Sequence, residues 1–157
     1  MPVSSELNGL NESSGNITPG KKTHTIKAQL VADERTEEIL KIDCAKGKVH
    51  DFELYKRSKL CLHPQTEALV DLGYKGILKL HSNGKIPFKS SKDHPLTKEQ
   101  KRFNKQHSQR RIKIENIIRK CKIFQIVKQT YRGKHKNYGL VWNVVAALVN
   151  LKNSKIN

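Results

Sequence analysis

Alternation of apolar and polar positions begins at Thr23. His24, Ile26, Ala28 and Leu30 share one side and Thr25, Lys27 and Gln29 the other, the period of a half-buried strand running to Val31. Asp33 to Thr36 is a polar turn and Ile39 to Cys44 reads as a second strand, so the two predict an antiparallel hairpin. Gly47 and Lys48 break the pattern. Asp51 stands where an N-cap belongs, ahead of a helix over Phe52 to Leu60 whose Phe52, Leu54, Tyr55 and Leu60 form an apolar face. Ala68-Leu69-Val70 is a short apolar run, predicting a buried strand that ends at Asp71. A short helix over Gly76 to Leu80 and a loop across residues 82–95 follow. Thr97 with Gln100 three residues on is a capping-box arrangement, predicting a long helix to about Tyr131. Its buried stripe is Ile114, Ile117, Ile118, Cys121 and Phe124. After a basic loop over residues 131–139, a last helix from Leu140 to about Leu151 carries Trp142, Val145, Ala146 and Val149. Strands and helices mixed in this order predict an α/β domain over residues 21–153.

Residues 1–20 are mostly Ser, Asn, Gly and Pro and predict a loose polar tail, because they bury too little apolar surface to offset ordering. The apolar stretch Gly139 to Leu151 falls short of the roughly 20 residues that a bilayer crossing needs. Cys44, Cys61 and Cys121 form neither a disulfide framework nor a zinc spacing and read as reduced thiols. Charge changes the picture most. The 157 residues hold 31 Lys and Arg against 14 Asp and Glu, a net of +17. Residues 100–157 contain 15 of the basic residues and a single acid, Glu115, so they supply +14 of that excess. Such an imbalance points to an anionic partner, nucleic acid above all. Arg110, Arg111, Arg119 and Lys122 on the long helix, with Arg132 and Lys134 in the loop after it, are the candidate phosphate contacts.

Two carboxylates stand out against this background. Asp71 ends a buried strand at a Gly-containing loop, where α/β folds place ligands. Taken alone, a turn-forming Asp before Gly73 is the stronger reading. Glu115 lies at the edge of the buried stripe inside a polybasic helix. There it is either a helix ion pair, with Arg111 or Arg119, or a cation ligand beside a DNA channel. Two acids on separate elements within a basic surface suggest cation-assisted phosphodiester chemistry with Mg²⁺ or Mn²⁺. Such a site normally has a third carboxylate, and the remaining acids read as turns, caps or surface. The histidines are scattered and suit structural roles; His50-Asp51 is a close His–carboxylate pair.

The segments GKKTHTIKAQLV, GKVHDF, LVDLGYKGI, PLTKEQKRFNKQHSQRRIKIENIIRKCKIF and YRGKHKNYGLVWNVVAALVNL, in that order from about Gly20 to Lys152, resemble the C-terminal part of bacterial insertion-sequence transposases. These are DDE superfamily endonucleases related to the Harbinger type. The resemblance implies an RNase H-like sheet, divalent-metal catalysis, and DNA strand cleavage and transfer on element ends and target. It implies a cytoplasmic, nucleoid-associated protein and admits self-association. Asp71 matches the family's second catalytic Asp and Glu115 its catalytic Glu, both as metal ligands; the His50-Asp51 pair matches a recurring motif with no assigned catalytic role. The family's first catalytic Asp lies on a strand just upstream of GKKTHT, and residues 1–20 contain no Asp. The expectation is therefore an N-terminally truncated, inactive core that lacks its first strand, or a basic remnant that binds DNA without chemistry. Glu6 could stand in for the missing Asp only if Pro2 to Leu7 paired beside Ala68–Asp71, and Ser4, Ser5 and Asn8 are poor buried-strand residues.

Overall fold

The computed structural model describes residues 4–10, 26–92, 94–129 and 131–154. Ile26–Asp33 (β2) and Ile39–Lys46 (β3) form the expected hairpin, with Leu30 opposite Ile42 and an irregularity between Val31 and Ala32. Asp33 closes the turn between them by accepting from the amides of Arg35 at 2.7 Å and Thr36 at 2.8 Å. β2 differs from expectation in one respect: it is buried on both faces, Lys27 and Gln29 included. Polarity alternates along it, but helices cover both sides of the sheet. Lys27 tolerates burial because its Nζ donates to Asp51 Oδ1 at 2.7 Å and to the Val49 carbonyl at 3.0 Å.

The N-terminal expectation is corrected. Ser4–Leu10 is a strand (β1) in the middle of the sheet, antiparallel to β2 and parallel to Glu67–Val70 (β4). With Gly84–Lys85 (β5) parallel to β4, the order is β3-β2-β1-β4-β5. The place expected to stand empty between the hairpin and β4 is thus filled, and the loose-tail reading fails for Ser4–Leu10. The physical reason is that β2 and β4 each present a buried row of backbone donors and acceptors. A strand inserted between them satisfies those rows through its own backbone, which an apolar–polar pattern does not reveal. Residues 1–3 and 11–20 of the expected tail, and Thr23 to Thr25 of the expected first hairpin strand, lie outside the described residues.

Three layers result. On one face of the sheet, Ala28, Leu30, Ala32, Ile39 and Ile42 pack against Lys98–Lys122 (α2), Gln125–Lys128 (α3) and Tyr138–Ser154 (α4). Ile114, Ile117, Ile118 and Cys121 of α2 and Trp142, Val145, Ala146 and Val149 of α4 fill that core, as their helical spacing predicts. On the other face, Val31, Ala68, Val70, Tyr74 and Ile77 pack with Tyr55 and Phe52 of Asp51–Arg57 (α1). The α1 cap is His50, not Asp51: its Nδ1 accepts from the Phe52 amide at 3.3 Å, while Asp51 is engaged by Lys27.

The capping box forms as expected, with Thr97 Oγ1 and Gln100 Oε1 accepting reciprocally from each other's amides at 3.2 and 3.1 Å. α2 stops at Lys122 instead of Tyr131. Phe124 is extended, and the chain folds back so that Val127 enters the core. Asn150 of α4 both accepts from the Ile39 amide and donates to its carbonyl, at 2.8 and 2.9 Å, fastening the edge strand β3. No helix among the described residues is long and apolar enough to cross a membrane.

Candidate active site

Strand alternation places Asp71. Ala68 and Val70 point into the core on the α1 side, so Leu69 and the extended Asp71 fall on the α2 side. Asp71 Oδ1 accepts from the Leu72 amide at 2.6 Å and starts a 3-10 turn over Leu72–Tyr74. Tyr74 anchors that turn, fully buried, its hydroxyl donating to Gln29 Oε1 at 3.3 Å. Burial, reinforced by the charges of Asp51 and Asp71, raises the Tyr74 pKa far above that of an ordinary phenol, so the group stays a donor. The turn also lies hard against α1. A Cβ on Gly73 would sit 2.5 Å from Asp51 Oδ2, and one on Gly76 would collide with the Phe52 ring. Asp51, held by Lys27, therefore forms the floor under the turn that presents Asp71. Sequence reading missed this role of Lys27, because nothing in its neighbours separates a buried Lys from a solvated one.

Glu115 reaches the same place from α2. The Arg111 guanidinium contacts Asp71 Oδ1 through Nη1 at 3.6 Å and Glu115 Oε1 through Nη2 at 3.5 Å. Two acids far apart in sequence thus converge on one cation. Arg111 is held inward, its side chain 18% exposed, while Asp71 and Glu115 are 46% and 53% exposed and open to solvent. The helix ion pair expected for Glu115 is real, with Arg111 rather than Arg119, and coexists with convergence on Asp71. Among the described residues no group of three His, Cys, Asp or Glu is placed to hold a metal ion. The pair itself fits a hard dication: its donors are carboxylate oxygens, which Mg²⁺ and Mn²⁺ prefer, and the spot already draws a positive group.

The basic residues divide. Arg110, expected as a phosphate contact, is engaged by acids of the fold itself. Its Nε and Nη2 donate to Glu34 at 3.0 and 2.5 Å, and its Nη1 pairs with Glu67. Hydrogen bonding to Glu34 in particular raises its pKa above that of an ordinary guanidinium. Arg110 thus staples α2 to the hairpin turn, where Glu34 lies as expected, and to β4, where Glu67, read as a surface acid, is half-buried. Arg111, Glu115, Arg119 and Lys122 recur at spacings of four, four and three, so they share one face of α2. Arg119 on that face is exposed, as are Arg132 and Lys134 in the following loop. The histidines with described partners are structural, as expected: His81 Nε2 meets the Thr66 carbonyl at 2.6 Å and buried His107 the Lys85 carbonyl at 3.1 Å.

The family model described as DDE superfamily endonuclease matches residues 17–150. The chain is also 38% identical over 127 residues to a protein of Microchaete diplosiphon named probable transposase for insertion sequence element IS702. That match covers 81% of this chain and 46% of the relative, so the chain spans about half the relative's length. No solved structure matches. The segments that carried the resemblance fall within the family match but for Leu151 at their end, as do both carboxylates that meet at Arg111, and the chain belongs to the DDE superfamily endonucleases.

Proposed function

We propose that this chain is the DNA-binding core of an insertion-sequence transposase, in which Asp71 and Glu115 hold Mg²⁺ or Mn²⁺ against a DNA phosphodiester. The observation that carries the reading is the meeting of these two acids, from β4 and α2, at one guanidinium on a strongly basic molecule. A bound dication would supply activation of the attacking oxygen and stabilisation of the leaving one. The residues around it have separable tasks. Asp71 and Glu115 provide the negative charge. Arg119, Lys122, Arg132 and Lys134 draw the DNA backbone to that side of α2. Tyr74, Asp51 and Gly73 fix the turn that aims Asp71. An RNase H-like core is supported by the sheet order, with β1 between the hairpin and the parallel strand that leads to Asp71.

Within this reading the chain alone binds DNA and does not cut it. The family's first acidic ligand is an Asp upstream of GKKTHT, and residues 1–20 contain no Asp. The test is incubation of the purified chain with supercoiled plasmid and Mg²⁺ or Mn²⁺, beside Glu115→Ala. The expected result is retarded plasmid without nicking above the Glu115→Ala level. Nicking that Glu115→Ala abolishes would show a complete site and make Glu6 the acid to substitute next. Plasmid that runs unretarded at low salt would overturn the whole reading.

A further inference from the structure

We infer that Arg111 is a built-in cation lodged between Asp71 and Glu115, which Mg²⁺ or Mn²⁺ must displace, so that Arg111 sets how tightly this chain holds a dication. The inference rests on the reading of Asp71 and Glu115 as a cation site. Helix geometry alone accounts for the contact with Glu115, four residues away, but not for the contact with Asp71 on another element. The side chain is drawn inward and mostly shielded, whereas most other basic residues of α2 are exposed. The neighbouring Arg110 is matched to its own acid pair, Glu34 and Glu67, so it is not available to relieve Arg111.

Charge balance at the pair gives the consequence. Two carboxylates and one guanidinium leave a single negative charge where a dication would need two. A dication arriving with Arg111 in place meets a fixed positive group a few Å away. The contacts of 3.5 and 3.6 Å are longer than the 2.7–2.9 Å of a well-formed charged hydrogen bond. These two contacts therefore act by charge more than by directed bonds, the kind of contact that a dication at the same carboxylates can replace. In the metal-free chain the same contact keeps two like charges together that would otherwise repel.

Mn²⁺ binding, followed by the loss of the free-ion signal in electron paramagnetic resonance, tests this without any need for activity. Arg111→Gln, which keeps bulk and polarity but not charge, should bind Mn²⁺ about tenfold or more tightly than the native chain, because a unit charge this close acts strongly on a dication even at water-like screening. Arg111→Lys, which keeps the charge, should stay near the native affinity. Adding Glu115→Gln to Arg111→Gln should erase the gain. Circular dichroism and urea unfolding establish that each variant is folded. Equal Mn²⁺ affinity in the native chain and Arg111→Gln, abolished in both on adding Glu115→Gln, would overturn the role of Arg111 and leave the carboxylate site standing. Weaker binding by Arg111→Gln would overturn it in favour of Arg111 as an organiser of the pair. No Mn²⁺ binding by any folded variant would overturn the carboxylate site and this inference together.

Discussion

Replacing Arg110 with Ala should destabilise the fold while leaving affinity for DNA nearly intact. The guanidinium makes two bonds to Glu34 and one to Glu67, joining α2 to the β2–β3 turn and to the start of β4. Hydrogen bonds between charged groups contribute about 1.5–3 kcal/mol each when buried. Here the Arg110 side chain is 38% exposed and Glu34 and Glu67 are 13% and 28% exposed, so solvent screens much of that. Truncation also takes from two half-buried carboxylates the guanidinium they share. The expected net cost is about 1–2 kcal/mol, after discounting for exposure. Urea unfolding at neutral pH measures it as a lower midpoint with an unchanged slope. The salt dependence of DNA binding should match that of the native chain. Unchanged stability together with a flattened salt slope would refute the reasoning and return Arg110 to the DNA surface.

Three further outcomes are expected. Arg132→Ala with Lys134→Ala should flatten the plot of log K against log salt by about 0.9 for each DNA phosphate no longer neutralised, measured by fluorescence anisotropy on a labelled duplex. Gly73→Ala should cost about 1–3 kcal/mol in urea unfolding, since the new Cβ meets an Asp51 carboxylate that Lys27 prevents from moving. His107 gives a pH dependence: burial, before any other influence, lowers its pKa in the fold. The unfolded chain therefore takes up the proton first, and stability present above about pH 6.5, the ordinary histidine value, should be lost as pH falls toward the folded pKa. Urea midpoints compared between pH 7.5 and 5.5 should fall more for the native chain than for His107→Gln.

Much of the fold was legible because side-chain chemistry encodes it. The hairpin, the short strand before Asp71, the Thr97–Gln100 capping box and the Trp142 face of the last helix all have signatures in period or cap, and all formed. β1 has no such signature. Its place follows from the unmet backbone of its neighbours, which appears only once those neighbours are arranged in space. β5, at two residues, is too short to carry a period. The end of α2 was missed because Phe124 and Val127 continue the apolar pattern while the backbone turns back.

In the site, Asp71 and Glu115 were visible as acids in odd settings. The division of labour between Arg110 and Arg111 was not. Adjacent arginines look alike in a sequence, and only the two different acid pairs that the fold brings to them set them apart.

The central claim is that Asp71 and Glu115 share one cation. Iron-directed cleavage of the polypeptide tests it most directly: Fe²⁺ bound in place of Mg²⁺ generates hydroxyl radicals that cut backbone within a few Å. With ascorbate and peroxide, mass spectrometry should find cuts near residue 71 and near residue 115 in the same preparation. Excess Mg²⁺, Asp71→Asn or Glu115→Gln should suppress both together. Cuts at only one of these places, or clustered instead around the scattered histidines, would contradict the shared site.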